Sequence, residues 1–133
     1  MQAAIRESLV SLVNAAYVAA YPTIPVVYDN AAFDRNTPPE SWVEFEVSFS
    51  GGNQVGMSFA PKTRIHGFVY VSVWCREGTG SKKALLMCDW FAAQLAYKSS
   101  GGVNLQAAEP VGGNSPAGWY VEGIKLYFYT NPT

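Results

Sequence analysis

The stretch "SWVEFEVSFSGG", residues 41–52, limits what this chain can become more than any other. Val43, Phe45, Val47 and Phe49 fall on one side of it, and Trp42, Glu44, Glu46 and Ser48 on the other. A period of two is that of a pleated strand with one side turned to a core. "RIHGFVYVSVWC", residues 64–75, reads as its partner, with Val69, Val71, Val73 and Cys75 on one face and Phe68, Tyr70, Ser72 and Trp74 on the other. Both of its faces are apolar or aromatic, so neither is fully wet. The glycines and asparagine of "SGGNQVG" between the two runs suit a turn, which predicts an antiparallel hairpin.

Helical periodicity flanks this hairpin. Ile5, Leu9, Leu12, Val13, Ala16, Tyr17 and Ala20 recur at steps of three and four, predicting an amphipathic helix from Ala3 to Ala20. Pro22 and Pro25 stop it, and "IPVVYDN" reads as a short extended segment. Ala84, Leu85, Cys88, Phe91, Ala92 and Leu95 trace a second helix from about Ser81 to Tyr97, closed by "KSSGG" with glycine as the left-handed cap. "VNLQAAE" and "WYVEGIKLYFYT" supply further strands, the latter with Gly123 as a bulge. The expected fold is one α+β domain over residues 1–133. Its two layers are a mixed, mostly antiparallel sheet of four to five strands and two amphipathic helices.

Composition narrows the function. Charged residues make up only 14% of the 133, well under the quarter or so usual for a soluble domain, while aromatics also reach 14%. Part of the surface must then be apolar, which favours a protein that assembles or binds. The net charge is −1 and the basic residues are scattered apart from Lys82 and Lys83, so there is no footprint for gripping a phosphate backbone. Apolar runs break long before the ~20 residues that span a bilayer. No signal segment precedes Ala3, so cytoplasmic synthesis is expected.

Motifs for chemistry are missing. "CREGTGSKKALLM" sits between strand and helix like a phosphate loop, yet Ser81 separates Gly80 from Lys82 and Arg76 stands where a Walker loop needs its first glycine. Ser81 reads instead as a helix cap. His66 is the sole histidine and has no nucleophile-elbow serine to serve. Cys75, Cys88 and His66 lack zinc-ligand spacing, and the two cysteines read as buried thiols. The expectation is no catalytic residue, no metal and no cofactor. Glu44 and Glu46 point the same way from one strand, as a cation site or acid/base pair would need, or as a solvated face or the wall of an opening would show. Phe68, Tyr70 and Trp74 could stack bases, pack beneath the N-terminal helix or meet another protein. Base-stacking sheets interleave basic residues, and this strand offers only Arg64 and Arg76 at its ends, so a neutral protein surface is favoured.

Several stretches resemble one family, the tail terminator proteins of long-tailed bacteriophages. They are "YPTIPVVYDNAAF" after a first helix, "WVEFEVSF" before a glycine hairpin, "RIHGFVYVSVWCREGTGSKKALLMCDWFAAQL" and the closing "GWYVEGIKLYFY". The third is similar to a pattern of arginine, glycine, hydrophobic strand, "G.G" loop and helix with a late aspartate, here Arg64, Gly67, Gly78, Gly80 and Asp89. The resemblance implies a structural protein of the virion. It forms a ring, usually a hexamer, on the head-proximal end of the tail tube, stops tube polymerisation and receives the head's connector. Its partners are further copies of itself, the tube protein and connector proteins, while DNA passes through unbound. Trp42, Phe68, Tyr70 and Trp74 become candidate interface residues, and Glu44 and Glu46 candidates for an acidic lumen that repels DNA. Another phage neck protein, whether a head-tail connector or a tail completion protein, is the neighbouring alternative, and a small-molecule or nucleic-acid binding module the alternative from another class.

The glycine-rich connections are the candidate assembly loops, through Gly51, Gly52, Asn53 and Met57 in one and Gly112, Gly113 and Asn114 in the other. Deleting Gly112 to Ser115 is expected to leave the thermal unfolding transition in place and to impair assembly, read as loss of the ring in light scattering. Unchanged assembly would remove these loops from consideration.

Overall fold

A computed structural model describes residues 2–22, 24–28, 41–55, 62–76, 81–112 and 118–131. In chain order the elements are α1 (Gln2–Ser11), α2 (Asn14–Ala20), β1 (Val26–Tyr28), β2 (Ser41–Val55), β3 (Lys62–Arg76), α3 (Ser81–Leu95), β4 (Ser99–Ser100), β5 (Val103–Gly112) and β6 (Trp119–Thr130). The strands make one curled, mixed sheet in the order β1-β2-β3-β6-β5-β4. Only β1 runs parallel to its neighbour, with Val26 opposite Val43 and the Val43 N–H donating to the Pro25 carbonyl at 3.0 Å.

The sheet has six strands rather than the four to five expected. The addition is β4, two residues long and too short for any periodic signal. Gly101 and Gly102 join it to β5 with φ of +57° and +80°, the geometry of a two-residue hairpin turn that accepts glycine best. Glycine therefore does not cap α3. Tyr97 takes the left-handed position there, with φ of +59° and its N–H donating to the Gln106 carbonyl at 3.2 Å.

Two other expectations are revised. Gly51 and Gly52 belong to a strand and not to a turn, because β2 continues past a register shift between Phe49 and Gly51 and pairs as far as Val55 with Lys62. The N-terminal helix is broken at Leu12 and Val13. Its buried residues, Ile5, Leu9, Val13 and Tyr17, are four apart. In a straight helix of 3.6 residues per turn such a stripe rotates by about 40° per step. The break lets both halves turn their buried residues into the core.

All the described helices lie on one face. Val43, Phe45, Val69, Val71, Val73, Leu126 and Phe128 form the floor of the core, and Ala84, Met87, Phe91 and Leu95 of α3 cover it together with the N-terminal helices. Each such valine or larger side chain contributes about 1.5–3 kcal/mol. Tyr17 ties the N-terminal helices to α3, its ring 5.3 Å from Phe91 and its hydroxyl donating to the Ile24 carbonyl at 2.9 Å. Leu85, expected in the buried stripe of α3, is instead 46% exposed, and Met87 takes the core position.

Gly67 marks where sheet and core are tightest. A Cβ there would meet the Ser48 carbonyl oxygen and lie 2.9 Å from the Phe128 ring. Gly67→Ala is expected to destabilise the protein by about 2 kcal/mol or more through overpacking. Urea unfolding checks this, and a variant within 0.5 kcal/mol of wild type, about the size of a neutral surface change, would contradict it.

Candidate interaction face

The side of the sheet away from the helices is where the predicted site residues meet. Ladder register carries residues on β2, β3, β6 and β5 into rows across this outer face. One row is Trp42, Trp74 and Val121; the next Glu44, Ser72, Gly123 and Val111; then Glu46, Tyr70, Lys125 and Glu109; then Ser48, Phe68 and Tyr127. A last row holds Gly51, His66, Tyr129 and Asn104. The aromatic and acidic candidates, read separately in the sequence, therefore share one surface, and none of the aromatics packs beneath the N-terminal helix.

At one end three tryptophans close on each other. Trp42 stacks on Trp74 with ring centroids 5.0 Å apart and meets Trp119 edge-on at 4.5 Å. Trp42 is 2% exposed and its indole N–H donates to Glu44 Oε1 at 3.3 Å, so it builds this end of the face and offers a partner almost no area. Phe68, Tyr70 and Trp74 keep partial exposure. Tyr127 stands 5.7 Å from Phe68 and 6.5 Å from Tyr129, extending the aromatic strip onto β6.

Cations also reach this face. Arg64 lies over Tyr129 at 5.2 Å, Arg76 over Trp119 at 5.0 Å and Lys125 over Phe68 at 5.7 Å. Such contacts are worth about 0.5–1 kcal/mol each at exposed sites. Glu46 is exposed, and Glu109 reaches Lys125 at 3.7 Å, an open pair that adds little to stability. Tyr127, Tyr129, Trp119 and Lys125 were missed as site residues, although the alternation in "WYVEGIKLYFYT" was sufficient to place them on one face. Met57, Gly113 and Asn114 lie outside the described residues. Gly112 ends β5 with open space around it, and Asn53 pairs with Arg64 within the β2–β3 ladder.

On the core side, Tyr120 donates to Glu122 Oε1 at 2.6 Å. Cys75 and Cys88 are buried free thiols. Burial chiefly, with the Glu122 carboxylate adding, pushes the Cys88 thiol from 9.0 to about 11. Among the described residues no group of three His, Cys, Asp or Glu side chains could hold a metal ion. The hollow at Ala4, Ile5, Gly101, Gly102, Val103, Thr130 and Asn131 contains no acid, histidine or cysteine.

A raised thiol pKa means that the folded state holds its proton longer than the unfolded chain. Stability from this group is therefore complete below pH 9.0 and lost as pH rises towards about 11, a fall expected in urea midpoints measured over that window. A midpoint rising over the same range would contradict it. On the outer face, Trp42→Ala is expected to cost about 3 kcal/mol as a buried truncation. Tyr70→Ala is expected to stay within about 1 kcal/mol in the same unfolding assay, as a part-exposed site does.

No family model and no curated protein matches this sequence. Among solved structures, one chain known by a serial designation alone is similar with a TM-score of 0.75, over 98% of this chain and 96% of its own, at 19% identity. That likeness concerns the fold.

Proposed function

We propose that this protein is the subunit of a ring that caps the head-proximal end of a phage tail tube, ends its polymerisation and presents the surface for head joining. The observation that carries this reading is the outer face, which no described helix covers and where Phe68, Tyr70, Trp74 and Tyr127 are partly exposed on the side away from the helices. An aromatic strip with a polar border is the make-up of a protein-protein interface. A ring, hexameric by the family resemblance, gives each copy a neighbour to cover such a strip. In this reading the tube protein and the connector occupy the two rims, DNA passes through without specific binding, and the exposed Glu46 repels its phosphates wherever it faces the hole. The protein works in the virion, without catalysis or cofactor. No helix among the described residues is long and apolar enough to cross a membrane.

A second reading has its own support. Arg64, Arg76 and Lys125 over aromatic rings on the outer face are the elements of a single-strand nucleic-acid platform, with Lys125 of β6 joining the two arginines at the ends of β3. Glu44, Glu46 and Glu109 on the same rows oppose it.

Light scattering over a concentration series with negative-stain imaging is expected to show rings with a central hole. Added to polymerising tube protein, the chain is expected to shorten the tubes. Tubes of unchanged length would overturn the proposal. Anisotropy with a fluorescent oligothymidine at low salt separates the second reading, which alone expects binding that weakens steeply with salt.

A further inference from the structure

We infer that the solvent side of the helix layer is the other half of a head-to-tail self-contact and docks onto the outer sheet face of a second copy. This rests on the ring reading above. Ala84 and Met87 are fully buried against the sheet, which turns the intervening Leu85 and Leu86 outward at 46% and 53% exposure. Val18 of α2 is 57% exposed, one turn before Tyr21. Tyr21, Lys82, Lys83, Leu86 and Met87 line a shallow groove, so Leu86 borders a hollow edged by two lysines.

Charge complementarity selects the occupant. A cationic, apolar patch fits a surface that pairs exposed carboxylate with apolar area, and this chain carries one. Glu46 is exposed on the outer face, in register with Tyr70 and one row from Phe68. The patches occupy opposite layers, so a two-fold pair cannot bring them together through a single self-matching surface. Each copy gives one and receives the other, a heterologous contact of the kind that builds a ring when its rotation closes. The leucines carry most of the affinity, because exposed ion pairs are weak, and Lys82 with Glu46 fixes register.

The test is sedimentation velocity, run beside the tube-shortening assay, on wild type, Leu86→Glu, Lys82→Glu, Glu46→Lys and the double charge swap. Leu86→Glu is expected to melt like wild type, its side chain being half exposed, and to lose both self-association and tube shortening. Each single charge reversal is expected to weaken association by about threefold, and the swap to restore it. If wild type assembles or shortens tubes and Leu86→Glu does so equally, this contact is wrong while the ring reading stands. If the swap is no better than either single change, the pairing of these two faces is wrong. A wild type that stays monomeric and leaves tubes unchanged removes the ring reading, and this contact with it.

Discussion

Everything in this fold depends on the valine floor of β3. Val69, Val71 and Val73 are fully buried, and β-branched side chains on a pleated surface give α3 a stiff bed. Helix packing on that bed fixes which side of the sheet is core. The flanking strands β2 and β6 inherit the same polarity through the ladder, so that Phe45, Leu126 and Phe128 join the floor.

Once the helices occupy one face, no described helix covers the other. Alternation sends Trp42, Phe68, Tyr70, Trp74, Trp119, Tyr127 and Tyr129 there, and these aromatics on adjacent strands shield one another. The shielding is uneven. Tryptophans at one end bury Trp42 almost fully, while the strip around Phe68 and Tyr70 stays partly open beside Lys125 and Glu46. A surface of that kind is too apolar to be idle and too mixed in charge to be a strong polyanion site. The ring proposal follows from that balance.

The fold was legible where periodicity was long. The runs holding Val43 to Phe49 and Val69 to Cys75 announced their faces, and Ile5, Leu9, Val13 and Tyr17 marked the buried side of the N-terminal segment. It was illegible where elements were short or irregular. Two residues of β4 carry no pattern, and a bulge after Phe49 turned an apparent turn into more strand. Leu85 and Met87 show a further limit. Both suit a helix interior, and only packing against the sheet decided that Met87 goes in and Leu85 stays out. The candidate face was half legible, since Phe68, Tyr70, Trp74, Arg64 and Arg76 were visible on one strand, but Lys125 over Phe68 and the rings beneath the two arginines come from β6.

By itself the sequence determined that this chain makes strands and amphipathic helices, that β2 and β3 pair, and which of their residues share a face. Those properties are local, set by side-chain periodicity and turn chemistry within a few residues. Tertiary structure alone decided that the tryptophans of three strands stack, that Lys125 reaches Phe68, and that Glu46 shares a row with Tyr70. Such neighbours lie tens of residues apart in the chain, and their distance is set by sheet order and register, which no single stretch of sequence contains.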